Sequence, residues 1–276
     1  MAMTINTNTS ATNAMNNLGR TTRALSKNFE RLSTGLRISR AADDAAGLGV
    51  ASNLGVRAKS ADVASRNIND GISMIAVAEG AASEVGSILG RMRELAVQGA
   101  SETLGNNERA YVQDEFAALS SEVDRISGVT EFNGAKLADG STATVAVQVG
   151  IDATANDQIS ITLGDLTAAT LGVDTGSIDM STSGGASAAI TAVDTALQTV
   201  NGYRSDYGAV ENRLNSALNS MDAFAENTAA AASRIRDVDF AKETAELSKN
   251  QLMQQAGVSV LSQAKNMNQS VVNLLQ

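Results

Sequence analysis

Apolar residues recur every seven positions along two stretches of 46 residues each, Leu54–Gly99 and Val193–Val238. In the second stretch, one row consists of Val193, Val200, Tyr207, Leu214, Met221, Thr228 and Ile235, and a companion row consists of Ala196, Tyr203, Val210, Ala217, Phe224, Ala231 and Val238. These rows are the a and d positions of a coiled coil, with one polar exception. At about 1.5 Å per residue, the pattern predicts a helix roughly 70 Å long.

The first stretch has the same period but smaller side chains. Its two rows are Leu54, Ala61, Ile68, Ile75, Ala82, Leu89 and Ala96, and then Arg57, Ala64, Gly71, Ala78, Val85, Met92 and Gly99. Each glycine inside a helix costs about 1 kcal/mol relative to alanine, so a closely packed neighbouring helix must compensate. An ordinary intramolecular bundle and an assembly of several copies both meet that need. Two such helices predict a mainly α fold, with long antiparallel helices in a coiled-coil-like rod.

Both ends of the chain carry a narrower apolar stripe. Its members are Ile5, Ala11, Met15, Leu18, Thr22, Leu25, Phe29 and Leu32 at one end, and Met253, Gly257, Val260, Ala264, Met267, Val271 and Leu274 at the other. Because most helix stability in proteins comes from packing, these segments have too little apolar surface to fold alone. We expect both ends to be disordered in the free chain and helical only against partners.

A third helix is predicted between the two long ones. It begins near Asn106, with Asn106 or Asn107 as its N-cap, and ends near Gly128. Its apolar stripe is Val112, Phe116, Leu119, Val123 and Ile126.

The period then changes to two, which is typical of strands. Apolar residues alternate with small or polar ones over 145–151 and 159–163, and Asn156-Asp157 is a turn signal between them. This pattern predicts a small β-hairpin in the middle of the chain. Asn133-Gly134 marks an earlier turn. Residues 174–189 are rich in Ser, Thr, Gly and Ala without a period, and are predicted to form an exposed loop.

Composition restricts the chemistry that the chain can perform. The 276 residues include no Pro, Cys, His or Trp. About 14 prolines would be expected at average usage, so their absence fits long uninterrupted helices. Without Cys and His, the chain lacks disulfides, the usual zinc, haem and iron–sulfur ligands, and any Ser–His or Cys–His nucleophile. We therefore predict no cofactor and no enzymatic activity, although carboxylate chemistry stays open.

Carboxylate groups have structural explanations. Adjacent residues on a helix point about 100° apart, so Asp43 and Asp44 are better suited to complement a helix dipole than to act as an acid/base pair. Asp237 and Asp239 are predicted to interrupt or cap a helix. The segment 152–157 lacks the spacing and final glutamate of an EF-hand, and a turn is predicted there.

The net charge of −9 argues against nucleic acid as the main partner. Residues 1–40 nevertheless carry six basic side chains against Glu30 alone. Such a segment suits DNA, acidic lipid or acidic parts of its own assembly, and the last is favoured. No apolar run approaches the roughly 18 residues that span a bilayer. The start has no Sec-type signal, which predicts a cytoplasmic chain unless export uses another route.

Several segments resemble bacterial flagellins. The N-terminal signature of that family is matched by residues 32–54 (LSTGLRISRAADDAAGLGVASNL), 93–98 (RELAVQ) and 132–134 (FNG). The C-terminal marks are residues 234–241 (RIRDVDFA), 254–261 (QQAGVSVL) and a final pair of leucines. The resemblance covers about the first 135 and last 85 residues. The large variable outer domains of long flagellins are absent here.

The resemblance implies a subunit that polymerises into the flagellar filament for motility. Residues 1–40 with 242–276 would form a terminal helical domain that folds on assembly and lines the inner tube. Residues 41–241 would form a helical rod domain with a β-hairpin and an exposed loop at about 130–190. The subunit contacts would then be Leu18, Leu25, Leu32, Val260, Met267, Val271 and Leu274.

The resemblance also implies partners and a location. The partners are other flagellin copies, the flagellar type III export apparatus with its chaperone, and the filament cap and junction proteins. The location is the extracellular flagellum, without membrane insertion. A hook–filament junction protein is the nearest alternative, because it shares the terminal pattern. A helical signalling rod is a second, but its usual transmembrane helices are missing. An enzyme with a carboxylate site has no positive support.

Two further sites follow from the resemblance. In many flagellins a toll-like receptor reads positions that match Arg91, Leu95 and Glu115, although this chain has Gly90 where those members have Gln. Members of the family also carry O-linked sugars. Matching hydroxyls here are Thr170, Thr175, Ser181, Thr182 and Ser183, in a segment whose Ser/Thr content also suits a plain loop.

Overall fold

A computed structural model describes residues 7–273, with side chains described for residues 7–266. The described elements are α1 (Thr9–Thr34), α2 (Ala45–Ala100), α3 (Asn106–Val129), β1 (Glu131–Phe132), β2 (Ala135–Lys136), β3 (Thr144–Gln148), β4 (Gln158–Thr162), α4 (Ser183–Arg236) and α5 (Phe240–Asn273). The prediction of a mainly α fold with a small β region in the middle is confirmed.

The chain divides into two compact units. Unit 1 contains the described parts of Met1–Val56 and Asn227–Gln276, and unit 2 is Arg57–Glu226. The predicted boundaries at 40/41 and 241/242 stay a prediction, because the division by compactness does not address which part folds on assembly.

Unit 2 is built on an antiparallel pair formed by α2 and α4. Gly71 lies against Leu214, whereas Gly99, four heptads further along α2 on the same face, lies against Ala186 near the start of α4. Ser65 Oγ donates to Asp222 Oδ1 at 2.8 Å at the other end of the pair. As residue numbers rise along α2, those of the contacting residues on α4 fall, so the two helices are antiparallel. The two heptad rows on each helix are the buried or half-buried face, and Arg57 is exposed as its outlier status predicts.

Two glycines on this face allow neighbouring elements to approach the α2 backbone closely. A Cβ at Gly71 would lie 3.1 Å from Val147 Cγ2, and one at Gly99 would lie 3.3 Å from Ala186 Cβ. By contrast, a Cβ at Gly80 or Gly90 would meet no heavy atom within 4 Å among the described residues. The packing role of glycine is thus confined to positions where another element presses on the helix.

Helix α3 follows its predicted stripe, with Val112, Phe116 and Val123 buried. Its predicted N-cap is wrong. Gly105 occupies that position, with no side-chain capping bond, and the helix ends at Val129, one residue beyond the expected glycine.

The two hairpins differ in how their turns are made. Asn133 and Gly134 join β1 to β2 with φ values of 50° and 82°, the two left-handed residues that a tight hairpin turn of this kind requires. Strands β3 and β4 form the predicted hairpin, and their antiparallel register places Val145 opposite Ile161. Their connection spans residues 149–157 and ends in a 3₁₀ turn at Ala155–Asp157, so it is longer than the predicted turn.

Apolar side chains of β3 and β4 continue the core of the helices. Val147, Ile159 and Ile161 are buried in the same cluster as the α2 and α4 rows. Where β4 ends, Tyr207 on α4 accepts a hydrogen bond of 3.0 Å from the backbone N–H of Gly164. A heptad position thereby satisfies a buried backbone donor of the β region.

The segment 174–189 is not an exposed loop. Ile178 and Met180 are buried, and α4 already begins at Ser183. Thr182 starts the helix, because its Oγ1 accepts from the Gly185 N–H at 3.1 Å. Small polar residues concealed this helix start, since they give no apolar period.

An 18-residue window of α2 has a mean hydropathy of 1.4, which by length and composition alone is enough to cross a membrane. The expectation that no such stretch exists is therefore wrong by this criterion. About a third of the window is buried inside the structure, as in a core helix that covers one face.

Candidate functional site

Unit 1 brings the two ends of the described chain together as helices α1 and α5. Asn8 starts α1, because its side chain accepts from the Ala11 N–H at 2.9 Å. Gly35 ends it in the left-handed conformation (φ 72°), with its N–H bonded to the Arg31 carbonyl. Asp239 starts α5 by accepting from the Ala241 and Lys242 N–H groups. Its predicted capping role is confirmed.

The segment that joins α1 to α2 runs beside the segment that joins α4 to α5. Leu36 and Asp237 form an isolated antiparallel bridge, and the Val238 N–H donates to the Gly35 carbonyl at 3.0 Å. Asp44 then caps α2, accepting from the Gly47 N–H at 2.8 Å. The predicted structural role of this carboxylate is therefore confirmed as well.

Helices α1 and α5 pack antiparallel. Asn8 Nδ2 donates to the Ala264 carbonyl at 2.9 Å at one end. Leu18 Cδ1 lies 3.3 Å from the point where a Cβ on Gly257 would stand. At the other end, Arg31 Nη1 lies 3.7 Å from Glu243 Oε2. Unit 1 is thus held by an intramolecular helix pair.

The core of this helix pair is unusually polar. Asn28 and Asn250 are 7% and 6% exposed, whereas Ala264 is the buried apolar residue at the far end of the pair. Asn28, in the amide orientation that satisfies both polar atoms, donates to the Ala24 carbonyl and accepts from the Leu247 N–H at 3.2 Å. Polar contacts therefore take places that leucine fills in a stable coiled coil.

The predicted terminal stripes split into covered and exposed rows. On α1, Ala11, Leu18, Leu25 and Leu32 are half-buried, whereas Met15, Thr22 and Phe29 are exposed. On α5, Gly257 and Ala264 are covered, whereas Met253 and Val260 are exposed. We call Met15, Thr22 and Phe29, together with Met253 and Val260, the exposed rows. The predicted members Ile5 and Leu274 and the side chains of Met267 and Val271 lie outside the described residues.

Large apolar side chains are concentrated on the surface of unit 1. Fourteen described ones are exposed, and nine of them belong to this smaller unit. They are Met15, Phe29, Val50, Val56, Phe240, Leu252, Met253, Val258 and Val260. Leu252 is 66% exposed and Phe29 51% exposed. Exposed apolar surface of this extent marks an interaction site.

Three of the six basic side chains of residues 1–40 meet acids of the same chain. Lys27 Nζ lies 2.6 Å from Asp43 Oδ1, and Arg40 pairs with Glu30 at 2.7 Å. The Lys27 ammonium, helped by backbone N–H groups of Arg40 and Ser39, lowers the pKa of Asp43 to about 2. Part of the basic charge is therefore paired within the chain, and the favoured alternative, a basic segment that faces acidic parts of its own assembly, stays a prediction.

The predicted receptor positions do not form one surface. Arg91 and Glu115 are exposed and joined by a 2.7 Å ion pair, and hydrogen bonds to Glu115 and then Glu94 raise the pKa of Arg91. Leu95 is 1% exposed and faces the core of unit 2. A surface partner therefore reaches the ion pair but not this leucine in the described conformation.

The predicted glycosylation hydroxyls also differ in availability. Thr170 Oγ1 donates to Asp165 Oδ2, Thr182 Oγ1 caps α4, and Ser183 Oγ donates to the Ala100 carbonyl. The Ser181 hydroxyl bonds to the Asp179 carboxylate, and Thr175 is exposed. No group of three or more acidic side chains within the described part of the chain is placed to hold a metal ion.

Family models match both ends of the chain. The bacterial flagellin N-terminal helical region matches residues 5–143, and the bacterial flagellin C-terminal helical region matches residues 190–275. Together they cover most of the sequence, including α1, α5 and the two long heptad helices. The chain belongs to the bacterial flagellin family.

Relatives match over the whole length of this flagellin. A flagellin of Halalkalibacterium halodurans is 43% identical over 274 residues, which covers 99% of this chain and 100% of that protein. A flagellin of Bacillus subtilis is 42% identical, again over 99% of this chain and 100% of that protein. The crystal structure of Bacillus cereus flagellin matches with a TM-score of 0.50 and 30% identity, covering 60% of this chain and 94% of that one.

This flagellin is therefore a structural subunit of the flagellar filament, which lies outside the cell and serves motility. The family accounts for the long helices and the short β region together.

Proposed function

We propose that the exposed rows of unit 1, with the neighbouring Leu252 and Val258, are the surface through which copies of this flagellin polymerise. The single observation that carries the proposal is the concentration of exposed large apolar residues on the α1–α5 pair. Leu18, Leu25 and Leu32 serve mainly to hold that pair together. Val260 remains a predicted subunit contact.

The energetics favour a polymer over a monomer. Fully covering a Val, Leu, Phe or Met side chain is worth about 1.5–3 kcal/mol, so covering a half-exposed one is worth about 1 kcal/mol. The nine exposed side chains of unit 1 thus offer several kcal/mol per copy. Head-to-tail contacts between identical copies propagate as a helix, and each weak contact is repeated along the lattice.

Export and partners complete the proposal. The chain leaves the cell through the flagellar type III apparatus with a chaperone, and it meets the filament cap and junction proteins at the two ends of the filament. Family membership supports this route. Exposed Thr175 is the proposed acceptor for O-linked sugars, since the hydroxyls of Thr170, Ser181, Thr182 and Ser183 are engaged in hydrogen bonds.

Substitution of exposed residues tests the polymerisation surface. Val260→Gln and Leu252→Gln should leave helical circular dichroism of the monomer unchanged, because both side chains are exposed and Gln suits a helix. Elongation from filament seeds, followed by sedimentation and negative-stain microscopy, should slow several-fold, because each variant loses about 1 kcal/mol of apolar burial. Val129→Gln is the matched control, since Val129 is 56% exposed against 54% for Val260 but lies in unit 2. Normal elongation by both unit 1 variants would refute the proposal.

A further inference from the structure

Oxidants have few targets in this chain. Cys, His and Trp are absent, and the chain has nine methionines. Peroxides oxidise the thioether of methionine to a sulfoxide, and the modification converts a flexible apolar side chain into a polar one. Because exposure governs access, the position of each methionine decides where such chemistry acts.

The six methionines with described side chains divide by unit. Those of unit 2 are buried or half-buried: Met74, Met92, Met180 and Met221. Those of unit 1 are Met15, which is 60% exposed, and Met253, which is 45% exposed. Both exposed thioethers belong to the exposed rows. An oxidant that meets the folded monomer is thereby directed to the surface that we assign to polymerisation.

Both methionines have apolar neighbours on that surface. Met15 lines an open groove of about 580 Å³ between α1 and α5, together with Leu18 and Leu261. Met253 follows Leu252 directly and lies two helical turns before Val260 on the same face of α5. A polar atom introduced at either sulfur therefore stands among the side chains that a neighbouring copy covers.

We propose that Met15 and Met253 are oxidation sites whose conversion to sulfoxides in the unassembled chain blocks polymerisation. The reagent is a hydroperoxide such as hydrogen peroxide. Its O–O bond breaks, one oxygen forms an S–O bond with the thioether sulfur, and water leaves, so sulfur loses two electrons and the peroxide gains them. The sulfoxide oxygen then lacks a donor when an apolar contact covers it. Methionine sulfoxide reductases reverse the change.

The test treats the full-length monomer with hydrogen peroxide and follows each methionine by peptide mass spectrometry. Met15 and Met253 should gain one oxygen at least tenfold faster than Met74, Met92 and Met180. Seeded elongation should fall at least tenfold at the dose that saturates both sites, and reductase treatment should restore it. Oxidation of buried methionines at the same rate would overturn the assignment of the sites.

The matched control is the double variant Met15→Leu/Met253→Leu, a swap of similar volume that preserves apolar character. Its elongation rate before peroxide serves as its own reference, and peroxide should leave that rate unchanged, because its remaining methionines are outside the proposed sites. Loss of elongation by the oxidised double variant would assign the effect to other methionines and overturn the proposal.

The inference rests on the proposed function, yet the two fail separately. Normal elongation by wild-type chain that carries both sulfoxides would refute the oxidation proposal. The Val260→Gln and Leu252→Gln variants test the polymerisation surface independently of oxidation. If those variants elongate normally, the polymerisation surface is wrongly placed, whatever peroxide does.

Discussion

Arg109 Nε donates a hydrogen bond of 3.0 Å to the carbonyl oxygen of Gly99, so a side chain from the first turn of α3 caps the end of α2. Its Nη2 donates to the Ser101 carbonyl at 2.7 Å, and the side chain is buried. The last four carbonyls of a helix have no partner within the helix, and this arginine satisfies that of Gly99 in the 56-residue α2.

Replacing this arginine should therefore be costly. Arg109→Met should lower the free energy of unfolding by about 2 kcal/mol, because buried carbonyls lose charged hydrogen-bond donors. Urea unfolding followed by circular dichroism measures the change. Arg125→Met is the control on the same helix, since Arg125 forms an exposed pair with Glu122 and should change stability by less than about 0.5 kcal/mol. Equal effects of the two substitutions would show that the cap is unimportant.

Two glycines of α2, Gly71 and Gly80, should respond differently to replacement by alanine. Gly80→Ala should raise the free energy of unfolding by about 0.5–1 kcal/mol, because the added methyl meets open space and alanine favours the helix. Gly71→Ala should be less stable than Gly80→Ala by about 1 kcal/mol, since its methyl presses on Val147. Thermal and urea unfolding of both variants checks the difference. Equal stability of the two variants would mean that the β3–β4 hairpin moves away from the added methyl group without a free-energy cost.

The seven-residue recurrence of apolar residues predicted most of the helical fold. The heptad rows from Val193 and Leu54 identified the buried faces of α4 and α2 because a coiled-coil seam repeats strictly. Asn133-Gly134 identified a turn because few residue pairs adopt two consecutive left-handed conformations. In both cases the geometry, a helix seam or a tight turn, restricts which residue types can occupy the position.

Other features depend on three-dimensional context that no local pattern encodes. The terminal stripe did not distinguish Leu18 from Met15, since both rows are apolar and only the position of α5 decides which is covered. The contact of Arg109 with Gly99 arises from the loop between two helices. Similarly, the buried Met180 follows a segment whose small residues give no period.

The Lys27–Asp43 pair should make unit 1 sensitive to acid. The ammonium of Lys27 lowers the pKa of Asp43 to about 2, below its value in the unfolded chain. A lowered pKa stabilises the folded state above pH 4, and this contribution is lost as the pH falls through about 2. Carboxyl carbon NMR should show a midpoint near 2 for Asp43. Lys27→Met should move that midpoint upward, whereas an ordinary midpoint in the wild type would contradict the pair.

Truncation should separate assembly from folding. Removing residues 1–20 or the last 20 residues deletes part of the α1–α5 pair and should abolish polymerisation, because one side of the proposed surface is lost. The buried heptad rows of unit 2 are untouched, so that unit should stay folded. All three tyrosines, Tyr111, Tyr203 and Tyr207, belong to unit 2, and the chain has no Trp, so the near-ultraviolet dichroism of tyrosine reports its packing directly. We expect an unchanged tyrosine signal together with no sedimentable filaments. Filaments of normal appearance from either truncated chain would show that unit 1 does not drive assembly, whereas loss of the tyrosine signal would show that unit 2 depends on the ends.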